Sequence, residues 1–281
     1  MPVIDVHTHL ARKSEIPDVR DRHMLEVAGF PVGSAHPVEQ LLEEMDRGGI
    51  DKSVVLGTPH VAERPFDNAA LAEAIEPYHD RLIGFGALDP RNVEDMAGGV
   101  RYCVEELGFK GIGEVVGIDI ASPDCFPMYE ACIELGVPIL IHMGFSLPTV
   151  PLKYCHPMLL DDVVIRYPEL KVIAAHCAAP WFNELAGVAF RHENVWVDVS
   201  ALGMYPAPMR YQAIGTMIGS GLGGRLLFGS DFPVVRPSEW LKWVRSFKVP
   251  LPLRALLGLP AFTAADREAM FYGNAAKLLA I

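Results

Sequence analysis

With 281 residues, 51% of them hydrophobic, the chain has ample material for one large core and suits a single α/β barrel, which typically takes about 250 residues. No apolar run reaches the roughly 18 residues of a membrane helix, and Asp5, His7 and His9 arrive too early for a secretory leader, so a soluble, cytoplasmic protein without a membrane partner is expected. A net charge of −11 argues against nucleic acid, which calls for a basic face, and Cys103, Cys125, Cys132, Cys155 and Cys177, with no CxxC pair among them, read as reduced thiols.

The first strand-like run, Val3-Ile4-Asp5-Val6, leads directly into His7-Thr8-His9. Side chains at i and i+2 share a face of a strand, so His7 and His9 point the same way. Seven further runs rich in β-branched or apolar residues lie near residues 52–58, 82–88, 109–115, 138–143, 171–176, 195–200 and 226–230. Between them the apolar spacing predicts helices. The first covers Val38 to Arg47, with Leu41, Leu42 and Met45 on one face and Gly48-Gly49 as its stop. Others are expected near residues 67–77, 93–107, 126–135, 157–166, 182–191, 209–219 and 238–246, with two more in the tail near 252–258 and 264–280.

Strands alternating with helices imply parallel pairing. Eight such units without a linker predict a (β/α)8 TIM barrel, one domain over residues 1–281 with extra C-terminal helices that pack outside the barrel or close its bottom. An open doubly wound sheet would place a glycine-rich phosphate loop after its first strand, where this chain has His-Thr-His. The stretch from residue 10 to residue 36 reads as one long loop forming part of a pocket wall.

Four later runs also end in a polar residue: Glu114, His142, His176 and Asp231. In such a barrel the active site lies at the C-terminal ends of the strands, so five strands converge polar groups on one rim. A lone histidine at a strand end is more often structural than functional. Here His7, His9, Glu114, His142 and Asp231 together form a candidate metal set, with zinc as the expected ion among those that imidazole and carboxylate suit. A metal lowers the pKa of its water to roughly 7, and Asp231 is the candidate to move that proton, with His176 as second catalytic group. On the loops, Arg12, His60 and Trp181 are candidate contacts for a small-molecule substrate. Loop cations are more often simply solvated. The oligomeric state is left open.

Asp-Val-His-Thr-His, Ile-His-Met-Gly, Ala-His-Cys-Ala-Ala-Pro-Trp and Gly-Ser-Asp-Phe-Pro, in this order, together with the closing Tyr272-Gly273-Asn274-Ala275-Ala276-Lys277-Leu278-Leu279, resemble the amidohydrolase superfamily. The nearest branch in pattern is the amidohydrolase-2 group, which includes aminocarboxymuconate-semialdehyde and resorcylate decarboxylases. The resemblance implies His7, His9, His142 and Asp231 around one metal and His176 as a hydrogen-bond donor or acid–base group beside the substrate. Ile112-Gly113-Glu114 departs from this pattern and is similar to the strand-4 glutamate of TatD-type hydrolases. There the glutamate bridges two metals, which would make His176 an additional ligand. The leading expectation is a metal-dependent hydrolase of a C–O or C–N bond in a small carboxylated or cyclic substrate. The alternative is a lyase, a decarboxylase or hydratase, acting on an aromatic or unsaturated carboxylic acid. Fold analogy favours both equally.

Overall fold

The computed structural model describes residues 1–10, 19–27, 35–57, 67–257 and 261–281. Eight strands run β1 (Ile4–His9), β2 (Lys52–Leu56), β3 (Leu82–Gly86), β4 (Gly111–Val115), β5 (Ile139–Ile141), β6 (Val172–Ala174), β7 (Val195–Asp198) and β8 (Leu226–Leu227). Each pairs in parallel with the next, in sequence order. The ring closes through backbone bonds between β1 and the segment after β8: Val6 N–H to Phe228 O at 2.9 Å, Asp231 N–H to His7 O at 2.8 Å and His9 N–H to Phe232 O at 2.8 Å. This is the expected (β/α)8 barrel.

Alternation along the strands divides the apolar side chains into two layers. Ile4, Val6, Val54, Ile83, Phe85, Leu140, Ile173, Trp196 and Leu227 form one cluster inside the barrel, joined from below by Ala275, Leu278 and Leu279 of the last helix. Their strand neighbours Val3, Val55, Leu82, Ile139, Ile141, Val172, Val195, Val197 and Leu226 face outward into a second cluster with the helices. The last helix (Asn274–Leu279) is pinned by the buried Asn274 side chain, whose amide donates to Gly223 O at 2.9 Å and Leu226 O at 2.7 Å.

Two strands break strict alternation where the polar residues begin. On β1 the register slips by one residue between Asp5 and Thr8, and on β4 between Ile112 and Val115. Ile112 and Val115 are three residues apart, yet both belong to the outer layer. An extra residue in the strand takes up the difference and re-aims the side chain between them, as bulges beside active sites commonly do. That side chain is Glu114.

Most helices lie where the spacing predicts, among them Val38–Gly48, Phe126–Leu135, Pro157–Arg166, Phe182–Arg191 and Pro237–Ser246. Three features differ. The expected loop over residues 10–36 carries a helix at Val19–Val27. Its sequence, VRDRHMLEV, lacks an apolar stripe, so periodicity does not reveal it; a long-range tie anchors it, with Asp21 accepting from the Thr149 N–H at 3.0 Å and the Thr149 hydroxyl at 2.6 Å. The predicted helix over 93–107 changes from α (Met96–Arg101) to π (Tyr102–Glu106). The tail helix is divided, beginning at Ala264 with a reciprocal cap between Thr263 and Asp266. No helix among the described residues is long and apolar enough to cross a membrane.

Candidate metal centre

Five strand ends bring six side chains to one spot. His7 and His9 leave β1 on one face, and their Nε2 atoms stand 3.2 Å apart. Asp231, just beyond β8, sets its Oδ1 3.5 Å from His7 Nε2 and 3.3 Å from His9 Nε2. A second trio adjoins the first. His142 Nδ1 is 2.7 Å from Glu114 Oε1, His176 Nε2 is 3.4 Å from the same oxygen, and His176 Nε2 is 3.2 Å from His142 Nδ1. Glu114 links the trios, with Oε1 3.8 Å from His7 Nε2 and Oε2 3.6 Å from His9 Nε2.

His176 and Asp231 both adopt left-handed backbone, with φ of 60° and 69°, a conformation that costs about 1–2 kcal/mol in a residue with a Cβ. Their own N–H groups hold them there. His176 N–H donates to Asp198 Oδ1 at 2.9 Å, and Asp231 N–H donates to the His7 carbonyl at 2.8 Å.

Behind the cluster lies a buried support that the sequence reading missed. His7 Nδ1 donates to Asp198 Oδ2 at 3.0 Å. The Ser200 N–H donates to Asp198 Oδ1 at 2.9 Å, and the Ser200 hydroxyl donates to that same oxygen. Ser200 Oγ is 2.8 Å from His176 Nδ1 and 3.1 Å from His7 Nδ1. A signal for this pair was present: Asp198 and Ser200 sit at i and i+2 at the end of an otherwise apolar run, the spacing that drew attention to His7 and His9.

The electrostatics of the site favour a cation. Burial would strip the proton from His7, but the Asp198 charge and hydrogen bond, then Glu114 and Asp231, hold its pKa up to about 10. Burial opposes the charge on Glu114, yet His142, His176 and His7 keep its carboxyl well below the usual range. Asp198 is likewise held low against burial by His7, His176 and Ser200. Beneath them burial pushes the Asp5 carboxyl up to about 7 despite hydrogen bonds from Ser230 and His7.

The donor spacing fits a metal ion. Nitrogens about 2.0–2.1 Å from a metal at tetrahedral angles stand about 3.3 Å apart. The His7, His9 and Asp231 donors are separated by 3.2, 3.3 and 3.5 Å. Two bare ring nitrogens this close repel each other unless a proton or cation lies between them. The triplets His7–His9–Glu114, His7–His176–Asp231 and Glu114–His142–His176 each gather their donor atoms within 4.8 Å. With His7 Nδ1 committed to Asp198, its Nε2 is left to face the ion, the usual outer support of a metal-bound imidazole.

The structure thus brings together His7, His9, Glu114, His142, His176 and Asp231. The Trp181 ring stands 4.8 Å from that of His156, on a cavity of about 370 Å³ that it shares with Leu152, Lys153, Met158, Leu159 and Asp162 and that none of the six lines. Arg12 and His60 fall outside the described residues.

The amidohydrolase family model matches residues 4–281. The chain belongs to the amidohydrolase family. This amidohydrolase is 28% identical over 165 residues to 2-amino-3-carboxymuconate-6-semialdehyde decarboxylase of Dictyostelium discoideum, covering 48% of the chain and 46% of that protein. It is 26% identical over 243 residues to gamma-resorcylate decarboxylase of Rhodococcus jostii strain RHA1, covering 71% of the chain and 66% of that protein. The match therefore spans about half the length of the first relative and just under two-thirds of the second. A crystal structure of dihydroxybenzoic acid decarboxylase from Polaromonas sp. JS666, with bound manganese and the inhibitor 2-nitroresorcinol, superposes with a TM-score of 0.69 at 19% identity, covering 99% of this chain and 97% of that one. At that identity the likeness speaks to the fold.

Proposed function

We propose that this amidohydrolase is a metal-dependent lyase that removes carbon dioxide from a small aromatic or unsaturated carboxylic acid. The observation that carries the proposal is a histidine–carboxylate cluster at the barrel mouth in a chain similar to two curated decarboxylases. The motifs put hydrolysis first and the lyase second; the relatives' activities reverse that order.

In this reading His7, His9, His142 and Asp231 would hold one divalent ion; His142, which contacts Glu114 and His176 instead of the other three, would turn toward it. Zinc was the expectation from the donor types, and manganese in the Polaromonas enzyme supports a second choice that the same imidazoles and carboxylates serve. When bound, the ion polarises substrate oxygens and orients the acid. Glu114 aims the His142 ring through their 2.7 Å contact and adds negative charge beside it. His176, 6% exposed with Nε2 facing the cluster, handles the proton: the bond from ring carbon to carboxylate breaks, carbon dioxide leaves, and the electron pair left on carbon takes a proton from His176 Nε2, which solvent restores. Arg12 and His60, which follow β1 and β2 in the sequence, remain proposed substrate contacts.

The test is carbon dioxide release by the manganese- or zinc-loaded chain from a panel of ortho-hydroxy aromatic acids that includes 2,6-dihydroxybenzoate. Release should stop on chelation, return with metal, and fall at least about 100-fold in His176→Asn. Hydrolysis of lactones or amides with no carbon dioxide from any acid would restore the hydrolase reading.

A further inference from the structure

We infer that Ser200 is a positioning residue that fixes one proton on His176 Nδ1, leaving Nε2 as the single ring atom through which His176 exchanges a proton or meets a cation. The inference follows from counting hydrogens in the fully buried Asp198–Ser200 pair. A hydroxyl has one hydrogen and two lone pairs, and an ionised carboxylate only accepts. Asp198 Oδ1 takes the His176 N–H, the Ser200 N–H and the Ser200 hydroxyl, while Oδ2 takes His7 Nδ1.

The single hydroxyl hydrogen is therefore spent on Asp198. Turning it toward His176 would leave the Ser200 and Asp198 oxygens facing each other in close contact with no proton between them. Ser200 Oγ can then only accept from the rings, and it does so from His176 Nδ1 at 2.8 Å and, shared with Asp198, from His7 Nδ1 at 3.1 Å. A neutral imidazole with its proton on Nδ1 has a bare Nε2. That atom faces Glu114 Oε1 at 3.4 Å and His142 Nδ1 at 3.2 Å, where a second proton or a cation meets the Glu114 carboxylate. One serine thus sets the tautomer of His176 and supports that of His7, coupling the proposed acid–base group to a proposed ligand across β7. The catalytic consequence rests on the proposed lyase reading; the tautomer itself does not.

The test is long-range proton–nitrogen correlation NMR on the full chain with ¹⁵N-labelled histidine, chelated and zinc-loaded, with His176 assigned by the signals lost in His176→Asn. The expected spectrum shows His176 Nδ1 protonated in both the chelated and the zinc-loaded chain. Ser200→Ala should populate the Nε2–H form, and Ser200→Thr, which keeps the hydroxyl, should restore the wild-type pattern. A wild-type His176 with a bare Nδ1 and a proton on Nε2 overturns the inference, as does an unchanged tautomer in folded Ser200→Ala. If Ser200→Ala does not fold, the wild-type spectrum decides alone. On any acid the wild type decarboxylates, Ser200→Ala should lower kcat about 10–100-fold with little change in KM. An absence of decarboxylation overturns the lyase reading and leaves the spectrum to judge the tautomer.

Discussion

Asp198→Asn isolates the outer support of the site with one atom changed. Oδ1 of Asp198 serves three donors and Oδ2 serves His7 Nδ1 at 3.0 Å. In the variant the amide oxygen keeps the three, and the amide nitrogen meets the His7 Nδ1–H head-on. Flipping the amide is worse, because its hydrogens then confront the backbone N–H groups of His176 and Ser200. The escape is for His7 to carry its proton on Nε2 alone, the atom 3.2 Å from His9 Nε2, so that a metal binding there forces a proton back onto Nδ1 against the amide hydrogens. Loss of such support typically lowers metal affinity 10–100-fold, about 1.4–2.8 kcal/mol. The buried mismatch costs the fold about 1–3 kcal/mol, within the 5–15 kcal/mol of an ordinary domain, so the variant should still fold. Competition with a chromogenic chelator measures the affinity, and a thermal melt of the chelated protein checks the fold. A variant that folds and binds zinc within twofold of wild type would refute the outer-support role of Asp198.

Three further perturbations probe the elements around the mouth. Glu44 accepts from Ser238 and Arg236; burial would raise its pKa, but those hydrogen bonds and the Arg236 and Arg47 charges bring it below 4.5. A lowered folded-state pKa contributes stability that is present above the unfolded value and lost as pH falls, so Glu44→Gln should melt earlier than wild type at pH 6 and the gap should close below about pH 4.5; a gap that widens in acid contradicts this. In Gly229→Ala the new Cβ would meet His7 Cβ and Ser200 Cβ, each at 3.0 Å, so chelator competition should show weakened metal binding alongside a stability loss of about 1–3 kcal/mol, and unchanged affinity would mean the neighbours give way without cost. Asp21→Ala removes both acceptors for Thr149 and should speed limited proteolysis within residues 19–27 about fivefold, the effect of about 1 kcal/mol; equal rates would show that another contact holds the helix.

The barrel was legible because periodicity survives burial: a chain that alternates inner and outer layers, as at Val172-Ile173-Ala174, also shows short apolar runs punctuated by helices. The six cluster residues were legible because each ends such a run. What escaped depends on partners distant in sequence. Helix 19–27 shows no apolar stripe in its sequence, and Asp21 ties it to Thr149. The bulge in β4 that aims Glu114 is a register slip against β5, invisible in either strand alone. Asp198 and Ser200 carried the right spacing but look like an ordinary strand end until His7 and His176 are placed beside them. Trp181 shares a motif with His176, and its ring packs with His156 on a cavity that none of the six lines.

The most direct measurement is metal per chain by elemental analysis, on wild type and on Glu114→Gln, after loading with manganese or zinc and removal of excess. One ion per chain in both proteins is predicted, with His7, His9, His142 and Asp231 holding it and His176 left for the proton. Two ions in wild type, reduced in Glu114→Gln, would contradict this: Glu114 would then be a bridge, His176 a ligand, and hydrolysis the favoured chemistry.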